Sequence, residues 1–413
     1  MNYKRTRVNW FRITVLALLV AFGYYFNRVI LPTIPPPFIP TPTATRAPES
    51  YVVEAQALFD QGKLLQAIDL YKEAIKANPY DDVVYVAMAR VQVFAGLYAD
   101  AQDSAERAIL LNADNSLAHA VLAWSLDFQG EILSAESEIK RALELDPNNG
   151  LAHAYYAEIL VDSYLRGTGP FENIAKAIEE SRLALALSPG TIEAHRARGY
   201  VLEATANYAE AIVEFEAAVA INENIPDLHM ALGRNYSAIL DYAKAIEEFT
   251  RANALNPSDP KPDLYISRTY VTVGEFAKAA QYAESAVKDA PTDASLRGNY
   301  GAILYYIPDW TESALQLGLA ILGGQTDDGQ IIEPIPFTTG TRVAEYYYTY
   351  ALALARLGRC GESIQIANIV LGRVPANEIA VANAKEAIKI CATQPSVSPT
   401  PQLAPTPTGT PTP

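Results

Sequence analysis

The chain lacks an excess of positive charge. Its 413 residues contain 32 lysines and arginines against 47 aspartates and glutamates, which gives a formal net charge of −15. Proteins that bind nucleic acids gain most of their affinity by clustering lysine and arginine against the phosphates. The sequence has no such basic stripe, so we exclude nucleic acid as a partner.

Residues suited to catalysis are scarce as well. There are two cysteines and four histidines, and the sequence contains no phosphate-binding glycine loop, no GxSxG and no HExxH motif. Asp327-Asp328-Gly329 shares only a fragment of an EF-hand calcium loop, because the alternating acidic ligands and the distal glutamate are missing. We therefore predict that the protein is not an enzyme and that it holds no cofactor and no metal.

A 34-residue unit recurs along the sequence. Residues 116–149 predict two amphipathic helices, with Gly130 ending the first and a turn at Asp146-Pro147 ending the second. The same residue types recur along the chain at intervals of 34, with one interval of 42. The recurring columns are Gly62, Gly96 and Gly130; Ala67, Ala101, Ala135, Ala177, Ala211, Ala245 and Ala279; Ala74, Ala108, Ala142, Ala184, Ala218, Ala252 and Ala286; and Pro79, Pro147, Pro189, Pro257 and Pro291.

This period, with its alanine columns and proline turns, resembles the tetratricopeptide repeat (TPR) family over roughly residues 48 to 390. The resemblance implies an all-α fold, a right-handed α-solenoid of about nine helix pairs closed by a C-terminal capping helix. We expect the solenoid over residues 49–375 and the capping helix over 376–392. The pairs are expected to begin near Pro48, Asp82, Ser116, Gly150, Ile192, Pro226, Pro260, Ala294 and Ala344.

Two insertions interrupt the period. Eight extra residues fall between the helices of the fourth pair, from Ser163 to Pro170, and 16 to 18 more follow the eighth pair, from Gly323 to Gly340. In repeat arrays insertions map to loops, often on the functional face. A tolerated surface loop is the alternative for each.

The N-terminus combines basic and apolar residues. Residues 1–9 are basic and residues 10–31 are largely apolar, with Arg12 and Arg28 near the ends of the apolar run. We expect the first segment in the cytoplasm and the second to be a single transmembrane signal-anchor, which would place the solenoid on the extracytoplasmic side of the cell membrane. The alternative is a signal peptide cleaved near Ala21-Phe22-Gly23, giving a secreted protein.

Two segments are rich in proline and threonine. Residues 32–48 predict an extended linker and residues 393–413 a disordered tail, because proline fixes φ and removes backbone donors.

The histidines and cysteines both have regular positions. His119, His153, His195 and His229 occupy one column of successive pairs, and since stacked repeats lie about 10 Å apart they cannot share one metal ion. We expect them to pack inside the pairs. Cys360 and Cys391 should lie at the same edge of adjacent elements, which predicts a disulfide in an oxidising compartment.

The first helix of each pair lines the concave face in TPR-like arrays, and the resemblance implies that partner contacts lie there. The residues on that side are Arg90, Phe94, Trp124, Phe128, Arg196, Tyr200, Arg234, Arg268, Tyr305, Tyr306 and Tyr348. Arginine and aromatic side chains are common in binding hot spots. We expect them to be exposed, with Arg196, Arg234 and Arg268 forming a positive stripe suited to an acidic segment.

These observations predict a membrane-anchored, extracytoplasmic scaffold that binds a protein or peptide partner in its groove. One alternative is self-association, or assembly into an envelope complex. Another is a carbohydrate-binding accessory protein.

Overall fold

The repeat predicts helix pairs because each 34-residue unit supplies a cap, two apolar stripes and a turn. The computed structural model describes residues 9–30, 46–338 and 340–393, and over those residues the fold is an all-α solenoid of nine helix pairs and a final helix. The predicted fold class is confirmed.

The elements are short and regular. Helix α1 (Trp10–Tyr25) continues into a π-helical segment, Phe26–Ile30. The nine pairs, numbered in chain order, are α2 (Pro48–Asp60) with α3 (Leu64–Ala77), α4 (Asp82–Phe94) with α5 (Tyr98–Leu111), α6 (Ser116–Phe128) with α7 (Ile132–Leu145), α8 (Gly150–Leu165) with α9 (Asn173–Leu187), α10 (Ile192–Ala204) with α11 (Tyr208–Ile221), α12 (Pro226–Ala238) with α13 (Tyr242–Leu255), α14 (Pro260–Thr272) with α15 (Phe276–Asp289), α16 (Ala294–Tyr306) with α17 (Trp310–Leu322), and α18 (Thr341–Arg356) with α19 (Cys360–Arg373). Helix α20 (Glu378–Thr393) follows.

Close packing within each pair depends on small residues. The alanines of both recurring columns are at most 1% exposed, so neighbouring helices approach without a side chain between them. In the eighth and ninth pairs a serine takes the place of the first alanine. Ser313 Oγ donates to the carbonyl of Gly301 at 2.7 Å and Ser363 Oγ to that of Ala351 at 2.8 Å, which satisfies a hydroxyl in a buried position.

The solenoid curls until its first pair meets the turn between its fifth and sixth pairs. Asn222 and Asn224, in the turn between α11 and α12, donate side-chain hydrogen bonds to the carbonyls of Phe59 and Asp60, each at 3.1 Å. Arg90 of α4 forms an ion pair with Glu193 of α10. These contacts join residues more than one hundred positions apart, so the inner face of the early pairs becomes interior.

Both insertions lie between helices, as predicted, although the first begins as an extension of α8 to Leu165 and only then becomes a loop. The first follows a longer α8 and is held by Thr168, whose backbone N–H donates to the carbonyl of Ser163 at 3.0 Å. The second contains two short antiparallel strands, β1 (Gly324–Gln325) and β2 (Ile331–Ile332), with Gly324 opposite Ile332. The Ile332 side chain is buried, which ties this hairpin to the solenoid.

The last pair is covered by α20, which buries Ala380, Ala384 and Ala387 against it. Cys360 begins α19 and Cys391 lies in α20; the two form a disulfide with their Cα atoms 5.4 Å apart. The predicted bridge is confirmed, and it links the capping helix to the pair that it covers.

The N-terminal helix stands apart from this packing. Residues 10–30 form a 21-residue helix with a mean hydropathy of 1.7, none of it buried by the rest of the described chain. It is the one described helix long and apolar enough to cross a bilayer, a test that a signal sequence also passes. The basic residues before Asn9, most of the proline-rich linker and nearly all of the tail lie outside the described residues.

Two non-glycine residues stand in the glycine column and adopt its left-handed conformation. Gly96 and Gly130 have φ of 75° and 82°, whereas Ala206 and Leu240, at the equivalent turns, have φ of 59° and 66°. Both side chains are exposed, so replacing them removes no core contact. An L-residue is strained in this conformation and glycine is not.

We predict that Ala206→Gly and Leu240→Gly each raise the free energy of unfolding by about 0.5–1 kcal/mol, measured by urea denaturation. Gly96→Ala is the matched control, because a Cβ there meets nothing within 4 Å and only the backbone is strained. It should lower stability by a similar amount. A loss of stability in either glycine variant would contradict the strain argument.

Candidate functional site

The inner face of the early pairs is not an open groove. Ten of the thirteen residues of α6 and twelve of the sixteen in α8 are buried, whereas α2 buries two of thirteen. Trp124 is 1% exposed and stacks on Tyr155, with ring centroids 4.3 Å apart. The expectation that Trp124 lies exposed in a groove is wrong, because the tight curl brings α6 against α8 and α8 against α10.

The other predicted contact residues divide by position. Near Trp124, Arg90, Phe94 and Phe128 are half-buried, and Phe94 meets the Trp124 ring edge-on with centroids 5.2 Å apart. In the later pairs the inner face is more open: Tyr306 is 52% exposed and stacks on Phe276. The half-buried residues there are Tyr305 and Tyr348.

The predicted positive stripe is also wrong. Arg196 pairs with Glu158 and, through Nε, with Asp227 Oδ2 at 2.9 Å. Arg234 forms a fork with Glu203, at 2.8 and 3.1 Å. The third arginine of the stripe, Arg268, donates to Asn299 Oδ1 at 3.4 Å. Each guanidinium therefore faces an acceptor on a neighbouring first helix, and no row of unsatisfied cations remains among these three.

A cavity of about 390 Å³ opens where the packing of the first helices ends. Its walls come from α6, α8, α10, α11, α12 and α14. The lining residues are Asp127, Phe128, Glu158, Asp162, Leu165, Arg196, Tyr200, Glu203, Phe215, Asp227, Ala231, Arg234 and Tyr265. The structure thus brings together Phe128, Arg196, Tyr200 and Arg234 of the predicted set, but surrounds them with carboxylates.

Asp127 is the exceptional group in this cavity. It is 2% exposed, and no group among the described residues donates a hydrogen bond to its Oδ1. Burial, and then the charges of Asp162 and Glu158, raise the pKa of Asp127 well above its usual value. Burial also raises the pKa of Glu158, against the opposing effect of Arg196. Asp227 differs: its side chain is half exposed, and although partial burial acts to raise its pKa, Arg196 and Arg234 hold that pKa below the usual range.

Sequence reasoning missed all five carboxylates, although a signal was present. Asp127 is the only acidic residue in α6, and Glu158 and Asp162 are spaced by four on the largely apolar α8. An acidic residue on a buried helix face requires a partner or a function. Glu203 and Asp227 lie 31 residues from Arg234 and Arg196, which places each pair on successive first helices.

Comparison with known proteins identifies the repeat. Residues 58–124 and 266–329 match two models of the tetratricopeptide repeat. These two stretches carry tetratricopeptide repeats. No curated protein matches it. As TPR arrays, these repeats imply a scaffold for protein–protein interaction.

Several solved structures resemble the chain in part. The Pseudomonas aeruginosa PilF structure is 21% identical and covers 50% of this chain and 91% of its own, with a TM-score of 0.42. PilW, described as a type IV pilus biogenesis factor, is 22% identical, with 49% and 90% coverage and a TM-score of 0.43. A Parabacteroides merdae tetratricopeptide repeat protein is 15% identical, with 62% and 98% coverage and a TM-score of 0.40.

The four histidines make one repeated contact within their TPR pairs. Each Nδ1 faces a glutamate on the second helix of its own pair, at 2.5 to 2.8 Å. The partners are His119 with Glu138, His153 with Glu180, His195 with Glu214 and His229 with Glu248. Each Nε2 faces a backbone carbonyl six residues earlier, at 2.8 to 3.1 Å. For His153 and His229 both partners of the ring are acceptors, so only the imidazolium, with two N–H donors, satisfies both.

The pKa values follow from this geometry. The hydrogen bond to Glu180 raises the pKa of His153 above its usual value. Burial lowers that of His229, but Glu248 and the Glu223 carbonyl outweigh it and the net pKa is raised. In the eighth pair Arg297 makes the equivalent contacts, to Gln316 at 2.7 Å and the Pro291 carbonyl at 2.8 Å.

We predict that His153 and His229 stabilise the fold in a pH-dependent way. A raised folded-state pKa gives stabilisation that is complete below about 6.5, the unfolded value, and is lost as the pH rises through the folded value. The difference in Tm between the wild type and a His153→Gln/His229→Gln variant should be larger at about pH 5.5 than at about pH 8.5. Arg297→Gln is the control, since a guanidinium stays charged over this range and its cost should not change. Equal differences at the two pH values for the histidine variant would refute the imidazolium assignment.

Proposed function

We propose that this protein is a membrane-anchored scaffold whose TPR solenoid lies on the extracytoplasmic side and binds a segment of a protein partner in the cavity between α6 and α14. The observation that carries the proposal is the cavity itself. It is concave, and it combines aromatic walls with converging charged groups, as ligand sites in proteins commonly do.

The filled inner face supports this location. Because the side chains around Trp124 and Tyr155 occupy the space that a groove would need, a partner segment has no access to the early first helices. The cavity is lined by residues of α6, α8 and α10 and also by Ala231 of α12 and Tyr265 of α14, the first helices of the next two pairs. A segment lying along the later pairs would reach it from that side.

Two features support anchoring and export. The helix at residues 10–30 leaves its apolar surface unburied, with Trp10 and Phe11 at one end and Tyr24 and Tyr25 at the other, where aromatic residues suit the two membrane interfaces. The bridge between Cys360 and Cys391 is typical of proteins outside the reducing cytoplasm.

We predict that the protein isolated from its own cells under alkylating, non-reducing conditions has both cysteines blocked to alkylation and still carries residues 1–30. Mass spectrometry of the intact chain measures both. Extraction from membranes should require detergent. Free thiols would count against an extracytoplasmic solenoid, and a chain that begins near Gly23 would favour a cleaved signal peptide.

We further predict that a photo-crosslinking residue at Leu165, which lines the cavity and is 58% exposed, captures the partner in cells. Leu133, on α7 and 82% exposed, is the matched control and should not capture it. Mass spectrometry of the crosslinked peptides identifies the captured segment. Crosslinks to a second copy of this chain would instead favour self-association, and equal capture at both positions would contradict binding in the cavity.

A further inference from the structure

The cavity contains a carboxyl group that the protein does not satisfy. Asp127 lies in the last turn of α6, is almost wholly buried, and has an Oδ1 atom without a hydrogen-bond partner among the described residues. Burying an unpaired carboxylate is costly, and native proteins rarely keep such a group without a reason. Its presence on a cavity wall points to a partner that arrives from outside.

The hydrogen-bond donors near Asp127 bind other acceptors. Arg196 binds Glu158 and Asp227, and Arg234 binds Glu203. The Tyr200 hydroxyl donates to Asp162. Arg166, at the rim, approaches Asp162 Oδ2 to 3.8 Å, which is an ion-pair contact too long for a hydrogen bond, and its side chain is 45% exposed.

The lining has an excess of negative charge. Besides Asp127, whose charged form burial disfavours, four carboxylates and two guanidiniums face the cavity, and Arg166 adds one cation at its edge. An anionic ligand would be repelled by this lining, whereas a cation would be attracted. Among the described residues no group of three or more acidic, histidine or cysteine side chains is arranged to hold a metal ion, so the complementary ligand is an organic cation.

The apolar residues of the lining indicate which organic cation the cavity suits. Phe128, Leu165, Phe215, Ala231 and Tyr265 give the cavity apolar and aromatic walls beside the carboxylates. Lysine and arginine combine an apolar stem with a charged head, and aromatic faces attract such heads. The same environment already holds one arginine of the chain: the Arg196 guanidinium lies 5.6 Å from the Phe128 ring centroid.

We propose that the cavity binds a lysine or arginine side chain of the partner segment, with its cationic head at Asp127 and its methylene stem against the apolar wall. This inference rests on the proposed function, because it names the chemistry of the segment that the cavity receives. The raised pKa of Asp127 agrees with it: burial and the neighbouring carboxylates favour the protonated form, whereas a cation at Oδ1 would favour the charged form, so binding should be coupled to proton release.

The test selects short random peptides from a display library on the full-length protein in lipid nanodiscs. The wild type should enrich peptides with lysine or arginine at one fixed position, and Asp127→Asn should lose that preference. Asp103→Asn is the control: it removes the same charge from an exposed site on α5 and should leave the preference intact.

A second measurement uses one selected peptide and its norleucine analogue, which keeps the stem and removes the charge. Norleucine should weaken binding to the wild type by about tenfold or more, the loss expected for a charge-assisted hydrogen bond. Because binding is coupled to loss of the Asp127 proton, wild-type affinity should rise with pH, while that of Asp127→Asn should show no such rise. If the Asp127 variant fails to fold, the norleucine comparison and the wild-type pH profile still test whether the cavity binds a cationic side chain.

The outcomes separate the two proposals. Peptides enriched without a basic residue, or equal affinity for the lysine and norleucine peptides, would overturn the cation site and leave the cavity as a binding site. If no peptide is enriched and the Leu165 crosslinker also captures nothing, both proposals fail.

Discussion

Along the inner side of the solenoid, α8 packs against α6 on one side and α10 on the other, and this contact governs what the rest of the molecule can do. Small residues permit it: Ala120, Ala154 and Ala197 are fully buried. The Trp124 and Tyr155 rings then fill the space that an open array would leave as a groove. Beyond this packing, the cavity beside Asp127 remains open.

Filling the inner face also forces charges into the interior, where they must be paired. The Arg90–Glu193 and Arg196–Glu158 ion pairs each join first helices two or more elements apart. The attraction within such a pair offsets the cost of desolvating its two charges only in part, so the pair contributes less to net stability than its geometry suggests. Removing the arginine of either pair would leave a buried glutamate without its counter-ion, at a cost of about 3–5 kcal/mol. The effect of these ion pairs is thus to disfavour other orientations of the helix pairs that they join.

The sequence was sufficient for the parts of the fold that repeat. A period of 34 residues gave the pair boundaries, since caps, turns and alanine columns are local; only the ninth pair begins three residues earlier than expected, at Thr341. The curl was not predictable, because it depends on contacts between residues as distant as Phe59 and Asn222, about which the period carries no information. The exposed groove was wrong for that reason. The positive stripe was wrong because Arg196 and Arg234 pair with carboxylates 31 residues away on neighbouring first helices. Asp127, isolated on an apolar helix, could have been recognised.

The eight-residue insertion bears on the cavity directly. Most first helices have thirteen residues, but α8 has sixteen, and its added turn carries Leu165 into the cavity wall. Arg166 follows at once and contacts Asp162 at the rim. The loop behind this turn is fixed to it, since Asn173 Nδ2 donates to Ser163 Oγ at 3.3 Å and Thr168 and Gly169 both donate to the Ser163 carbonyl. An array with an uninterrupted period would lack this wall, so the departure from the repeat is what makes the site distinct from the other inter-helix spaces of the solenoid.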